Sequence, residues 1–266
     1  MRDASPGFVD SARAPAMRPV IDLAQRAARS SAHVLITGES GAGKRSLARW
    51  IHAAGPRAAG PLIAISSAAL GDALLAGQSA AQAHAVFRDA AGGTLVIDEL
   101  AELPYEAQAA LVQLLDQRLD APALRPDGPD GARVIATTRH AARDMLRADL
   151  YYAIAVIAIA VPPLRERAAD IPALVARFLA RQGRTARITD AALAHLAAAR
   201  WPGNVRELEA AIERAIALSD DGRDDPVDDP VNDPVNDPVI DVAQLAGVAP
   251  APATSPDHRG RRSFPR

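Results

Sequence analysis

The stretch Thr37-Gly38-Glu39-Ser40-Gly41-Ala42-Gly43-Lys44 decides the fold of this chain. Between an apolar run and a helical pattern it places a glycine, four residues, a second glycine and a lysine, which is the spacing of a phosphate-binding loop. Glycines permit the backbone angles that turn several N–H groups toward one anion at the start of a helix. The stretch therefore predicts an α/β fold in which the first strand leads into a nucleotide-binding loop.

Lys44 is the only lysine among 30 basic residues. An ammonium is a compact point charge that fits between phosphates, whereas a guanidinium is a planar fork, so we expect Lys44 to grip the β- and γ-phosphates. The next residue departs from the pattern, because Arg45 stands where a magnesium-binding Ser or Thr is usual, and Ser46 comes one position late. We expect the loop from Gly38 to Arg45 to bind ATP and another residue to hold Mg²⁺. The structural alternative is a Gly-rich turn with an exposed lysine.

Composition excludes several classes of protein. The chain has 266 residues, is 23% charged, has a net charge of −2 and contains no cysteine. It therefore lacks disulfides, thiolate metal sites and a global positive field that would attract nucleic acid. No apolar run approaches membrane-spanning length, and the first residues lack the apolar core of a signal peptide. We expect a cytoplasmic protein that contacts neither membrane nor DNA directly.

Apolar runs alternate with helical patterns over the first two thirds of the chain. Strands are predicted at 34–36, 62–65, 94–97, 133–137 and 155–161, and helices at 17–32, 44–52, 68–87 (interrupted near Gly77) and 106–119. Uniformly apolar strands of this kind are typical of a parallel sheet covered by helices on both faces.

From Asp170 the pattern is entirely helical, with helices predicted at 170–180, 190–199 and 204–218. Asn204 and Glu207 form a capping-box-like start to the last of these helices. We divide the chain into a nucleotide-binding core at 1–168, a small helical lid at 169–222 and a disordered segment at 223–266. That segment contains a tetrapeptide repeat, Asp-Asp-Pro-Val or Asn-Asp-Pro-Val, whose regular prolines and few apolar residues predict a spacer before a basic tail.

Asp98 and Glu99 follow directly on an apolar strand. In a phosphate-loop protein, an aspartate in this position holds magnesium and the adjacent glutamate polarises the attacking water. The structural alternative is an acidic pair at the surface end of a strand.

Several motifs occur in a fixed order along the chain. They are Gly38–Lys44, Gly92–Glu99, Asp149–Tyr152, Pro162–Arg167, Asp170–Pro172 and Trp201–Leu208. Together they resemble the AAA+ domain of bacterial enhancer-binding proteins, the ATPases that activate sigma-54 RNA polymerase, from about Phe8 to Leu218. The resemblance implies an AAA+ α/β core with a helical lid, and an ATP site between protomers of a ring, usually a hexamer.

The resemblance also implies roles for individual residues. Lys44 would hold phosphate, Asp98 magnesium and Glu99 the attacking water. Arg206 would reach the γ-phosphate from the lid, and Arg147 would act in the neighbouring protomer's site as an arginine finger. A surface ion pair is the structural alternative for either arginine.

The chain departs from the family pattern at the parts that convert hydrolysis into work on sigma-54. The segment 71–91 is short and lacks the Gly-Ala-Phe-Thr-Gly-Ala loop. The second finger falls on Ala153, the switch asparagine on Ser66 and the first sensor on Arg139. The sequence shows neither a receiver domain before the core nor a helix-turn-helix domain after the lid. We therefore expect ATP binding with slow or absent hydrolysis.

Three hypotheses remain open from the sequence. The first is an ATP-binding regulator that acts through protein contacts, as a homo-oligomeric ring or in co-assembly with a related activator. The second is a working ATPase that remodels another protein target. The third is a non-catalytic interaction module.

Overall fold

The computed structural model describes residues 7–75, 80–120, 124–128, 130–139, 144–181, 187–220, 239–241 and 245. Within those ranges, no helix combines the length and the apolar character needed to cross a bilayer. The helices are α1 Gly7–Asp10, α2 Arg18–Ala28, α3 Lys44–Ala53, α4 Ser67–Leu75, α5 Ala80–Asp89, α6 Tyr105–Asp120, α7 Ala148–Ile154, α8 Ile171–Arg181, α9 Asp190–Ala198 and α10 Asn204–Asp220. The strands are β1 Val34–Thr37, β2 Leu62–Ser66, β3 Thr94–Asp98, β4 Arg133–Thr138, β5 Ile157–Ala160, β6 Arg187–Ile188 and β7 Val239–Ile240.

The first five strands form one parallel sheet in the order β2-β3-β4-β1-β5. Thr37 pairs with Thr138, and Ser66 with Asp98. The carboxyl ends of β1, β3 and β4 therefore meet at one edge, where the phosphate loop and the acidic pair emerge. This confirms the predicted parallel α/β fold.

Successive residues of the central strands contribute to opposite sides of the sheet, as the period-2 geometry of a strand requires. Leu35, Leu95 and Ile97 belong to one buried cluster, which also contains residues of α4 to α7. Val34 and Ile36 belong to the other cluster, with residues of α2 and α3. Burial on both faces explains why these strands are apolar throughout.

A third apolar cluster lies in the lid, where α8, α9 and α10 pack together. Trp201 is fully buried there and donates its Nε1–H to the carbonyl oxygen of Leu196 at 2.8 Å. Ile240 and Leu245 are also buried in this cluster, and β7 pairs with β6. This cluster therefore includes apolar side chains from the segment 223–266, beyond the predicted end of the lid at residue 222.

Most elements lie within a few residues of the predicted positions, although α1 and β6 were not predicted. The predicted strand 155–161 is shorter, because Tyr151 O accepts the N–H of Ala155 and ends a helix, α7, that the sequence did not indicate. The predicted interruption near Gly77 and most of the repeat lie outside the described residues, but Val239–Ile240 forms β7 within the segment predicted to be disordered. Asn204 was predicted to cap α10; its Oδ1 instead accepts the N–H of Leu164 at 2.7 Å.

Candidate functional site

The phosphate loop connects β1 to α3 and forms one wall of a cleft of about 440 Å³. Gly41 and Gly43 have φ angles of +74° and +98°, which side chains rarely adopt. A Cβ on Gly41 would lie 2.1 Å from the carbonyl oxygen of Gly203, so only glycine allows the lid to come this close. The cleft is lined by Ser40, Gly41, Ala42, Gly43, Lys44, Arg45, Ser46, Asp98, Glu99, Glu102, Thr137, Arg139, Val205, Arg206 and Glu209.

Lys44 lies at the base of the cleft, with its side chain only 7% exposed. Its Nζ donates to the carbonyl oxygens of Gly38 at 2.9 Å and Glu39 at 3.3 Å, and lies 3.0 Å from Glu99 Oε1. The loop carbonyls thus fix the ammonium, and Glu99 supplies the counter-charge that an anionic ligand would replace. The loop-to-helix connection predicted from the sequence places this ammonium at the start of α3.

Asp98 ends β3, and both of its carboxylate oxygens have partners. Oδ1 accepts from the Thr137 hydroxyl at 3.2 Å, and Oδ2 accepts from Arg45 Nη2 at 2.5 Å. Thr137 belongs to the neighbouring strand β4, so the sheet itself positions the carboxylate. Arg45, in the first turn of α3, reaches the same group from the opposite side.

Glu99 adopts a left-handed conformation with φ +53°, which is rare for a residue with a side chain and clusters at functional sites. Its backbone N–H donates to Thr137 Oγ1 at 3.2 Å. Its carboxylate lies between two cations, Lys44 on one side and Arg139 Nε at 3.9 Å on the other. The predicted water-activating residue therefore faces the cleft beside the predicted sensor position.

The lid contacts the phosphate loop directly through the start of α10. The backbone N–H of Val205 donates to Gly41 O at 3.0 Å. Asn204 is fully buried, with φ +55°, and its Nδ2 donates to Glu39 Oε2 at 3.1 Å and Ser40 O at 3.0 Å. These bonds hold the start of α10 against the loop, beside the cleft that Val205 and Arg206 also line.

The segment before α8 adds further contacts to the loop. Arg165 forms a two-pronged ion pair with Glu39, at 2.9 and 2.8 Å. Arg167 is buried and donates to Ala42 O at 2.5 Å, and burial lowers its pKa. Asp170, 3.8 Å from Arg167, accepts the backbone N–H groups of Arg13 and Ala14. These polar contacts join the amino-terminal segment, the loop and the lid.

Two sequence-predicted arginines lie in different places. Arg206 lines the cleft, in the first turn of α10. Arg147 does not line it; it is held by Asp149 Oδ2 at 2.8 Å and by the Tyr105 ring, 5.0 Å from its guanidinium. The Asp149 hydrogen bond raises the pKa of Arg147. The structure thus brings Arg206 together with Lys44 and Glu99, and leaves Arg147 elsewhere on the same chain.

The departures from the family pattern also have defined positions. Ser66 ends β2 beside Asp98, and its Oγ accepts the N–H of Ala69 at 3.3 Å at the start of α4. Ala153 lies in α7. Arg139 Nη2 donates to Glu102 Oε1 at 3.3 Å. The contacts of Arg139 with Glu102 and of Asn204 with Glu39 could not be predicted from the sequence, because each joins residues that are far apart in the chain.

Charge in the cleft is balanced. Four basic and four acidic side chains line it: Lys44, Arg45, Arg139, Arg206, Asp98, Glu99, Glu102 and Glu209. In the part of the chain that the structure describes, no three His, Asp or Glu side chains form a group able to hold a metal ion.

Two family models match the chain: the sigma-54 interaction domain over residues 11–160, and the AAA+ ATPase lid domain over residues 165–228. The response regulator protein FleR of Pseudomonas aeruginosa is 42% identical over 232 residues, which are 78% of this chain and 49% of that protein. The Nif-specific regulatory protein of Azotobacter vinelandii is 38% identical over 229 residues, which are 78% of this chain and 44% of that one. The chain thus spans about half the length of these relatives.

Solved structures of NtrX from Brucella abortus have a similar fold. The complex with ATP matches with a TM-score of 0.63 and 31% identity, over 80% of this chain and 53% of that one. The complex with ADP matches with a TM-score of 0.67 and 30% identity, over 92% and 56%. With the family models, these matches confirm the resemblance inferred from the motifs: the chain belongs to the sigma-54 interaction domain family and has the AAA+ core and lid of that family.

Proposed function

We propose that this chain binds ATP in the cleft between the phosphate loop and the lid, and regulates transcription through contacts with other proteins. One observation carries the proposal: the only lysine of the chain is fixed at the base of a cleft that the loop glycines, Glu99 and Arg206 also line. The ATP and ADP bound in the NtrX structures support the choice of nucleotide. In this proposal Gly38 to Arg45 cradle the phosphates, and Arg206 contacts them from the lid.

Slow or absent hydrolysis is part of the proposal. Arg139 Nε lies 3.9 Å from Glu99 Oε2, so after a nucleotide has replaced Glu99 as the partner of Lys44, this guanidinium still competes with a water molecule for the carboxylate. An arginine at the sensor position neutralises phosphate but lacks the acceptor of an amide side chain, with which a water can be oriented. Ser66 in place of the switch asparagine, and the absence of the Gly-Ala-Phe-Thr-Gly-Ala motif from the sequence, favour a regulator that does not remodel sigma-54 polymerase directly.

Assembly is also proposed. Arg147 lies outside its own cleft, as an arginine that acts in a neighbouring protomer would. A ring of identical chains, or co-assembly with a related activator, would bring such an arginine to a second ATP site. The Mg²⁺ predicted at Asp98 from the sequence is not part of this proposal, because Arg45 contacts that carboxylate in the structure.

A working ATPase with another protein target is the second candidate, favoured by the placement of Asp98 and Glu99 beside Lys44. Phosphate release by the purified chain separates the two, with Glu99→Ala as the control for contaminating activity. The regulator proposal predicts a wild-type rate equal to that of the variant or at most slightly above it. A wild-type rate clearly above that of the variant would favour the ATPase, and activation of a sigma-54 promoter by this chain alone would contradict the proposal.

A further inference from the structure

The carboxylate at the end of β3 is already paired with a cation from the phosphate-loop side of the cleft. Arg45 Nη2 lies 2.5 Å from Asp98 Oδ2, and the Thr137 hydroxyl binds the other oxygen. The Asp98 side chain is 13% exposed and that of Arg45 is 61% exposed, so the guanidinium reaches the carboxylate from the solvent side of the cleft.

This arrangement does not fit a magnesium ion. Magnesium demands six oxygen ligands in an octahedron at about 2 Å. An ion on Asp98 Oδ2 would have to displace the guanidinium or lie beside a like charge. Directly after Lys44 the loop carries Arg45 rather than the hydroxyl that binds magnesium in a phosphate loop, and the hydroxyl of Ser46 comes one position later in the helix.

We propose that Arg45 takes the place of the divalent cation, so that this chain binds a nucleoside triphosphate without magnesium. The inference rests on the proposed function, since it concerns the same cleft. A guanidinium carries five N–H donors in a planar fork that matches phosphate oxygens. Its contact with Asp98 uses Nη2, so the donors of Nη1 and Nε are not needed for that ion pair, and Arg45 lines the cleft in which the triphosphate would bind.

The charges of the cleft support the proposal that Arg45 takes the place of the divalent cation. With Arg45 present, the basic and acidic side chains that line the cleft balance. Without Arg45, the cleft has one more acid than base, and Asp98 loses its cationic partner. A triphosphate entering that cleft would meet an uncompensated carboxylate, and only a metal ion would then neutralise it. Removal of Arg45 should therefore create a requirement for magnesium.

The test measures binding of AMP-PNP, a non-hydrolysable ATP analogue, to the full chain by titration calorimetry, once with excess magnesium and once with EDTA. We expect the Kd of the wild-type chain to change less than about threefold between the two conditions, and the Kd of Arg45→Ser to be at least about tenfold weaker in EDTA. Arg45→Gln removes the charge without adding a hydroxyl and has a helix propensity similar to that of arginine. It therefore separates loss of charge from gain of a hydroxyl, and it is the second variant if Arg45→Ser does not fold. Arg49→Ala is the matched control, because Arg49 is exposed one turn further along α3 and does not line the cleft.

Each outcome of this experiment either supports or contradicts the inference. A magnesium-independent wild type, with both Arg45 variants dependent on magnesium and Arg49→Ala like the wild type, supports the inference. A wild type that binds only with magnesium overturns it, and so do Arg45 variants that stay independent of magnesium. Absence of binding in both conditions contradicts the proposed function itself and removes the inference with it.

Discussion

The backbone N–H of Val205 donates to the carbonyl oxygen of Gly41 at 3.0 Å, although 164 positions separate the two residues in the sequence. The bond joins the first turn of the last lid helix to the middle of the phosphate loop. Asn204 next to it binds Glu39 and Ser40. The loop therefore takes its shape from the lid as well as from its own glycines, and stability and ligand binding should depend on the same junction.

Replacing Asn204 with Asp tests this junction. The substitution keeps the oxygen that accepts from Leu164 but replaces the Nδ2 donor with a buried carboxylate oxygen facing Glu39. We expect the free energy of unfolding, measured with urea, to fall by about 2–4 kcal/mol, because a fully buried carboxylate beside Glu39 would replace the amide that donates to it. Asn232→Asp is the matched control, since it only restores the Asp that the earlier repeats carry at that position. An unfolding free energy equal to that of the control would show that the junction contributes little.

Substitutions of Arg147 and Arg206 should both weaken ATP binding, but only the effect at Arg147 should depend on protein concentration. Arg206 lines the cleft of its own chain, so Arg206→Ala should weaken ATP binding by about tenfold at every protein concentration, as loss of a charge-assisted contact does. Arg147 lies outside that cleft, so Arg147→Ala should weaken binding only at concentrations at which chains assemble. ATP titrations combined with sedimentation over a range of protein concentrations measure both. Equal, concentration-independent losses for the two variants would contradict a role for Arg147 between protomers.

His33 should make stability depend on pH. It is buried, and its Nδ1 accepts the N–H of Val134. Burial, followed by the charges of Arg133 and Arg118, lowers its pKa from 6.5 to about 4. The folded chain thus resists protonation of His33 while the unfolded chain accepts a proton below pH 6.5. The stabilisation is complete above pH 6.5 and declines as the pH falls toward 4, by about 3 kcal/mol in total.

Urea unfolding at a series of pH values between these limits measures the effect. His33→Asn is the comparison, because an amide oxygen still accepts a hydrogen bond but does not titrate. We expect the variant to lose less stability than the wild type between pH 6.5 and 4. Parallel curves for the two proteins would mean that other groups cause the loss.

The parts predicted well from the sequence are those that local pattern specifies. The run Val34-Leu35-Ile36 before three loop glycines predicts a buried strand leading into a phosphate loop, and the structure has both. The contacts between Glu39 and Arg165 and between Arg45 and Asp98 were not predicted, because they join residues 126 and 53 positions apart. Helix α7 was missed because only seven residues form it, too few for a clear period.

The partners of the Asn204 side chain could not be predicted from local sequence either. Its sequence context, with Glu207 three residues later, indicates a helix cap, and Glu207 Oε2 does accept the N–H of Gly203 at 2.7 Å. The Asn204 side chain itself turns to the loop, because the lid packs against the core there and buries it completely. Local propensity identified the helix start, and tertiary packing decided what the side chain binds.

Calorimetric titration of ATP into the wild-type chain, Lys44→Ala and Lys44→Arg, with magnesium and with EDTA, is the most direct measurement of whether Lys44 holds a triphosphate. We predict heat of binding for the wild type and at least about tenfold weaker binding for both variants, because the buried site suits a compact ammonium and neither a methyl group nor a planar fork replaces it. No heat for the wild type in either condition, or equal affinity for all three proteins, would contradict the proposal that this cleft binds ATP through Lys44.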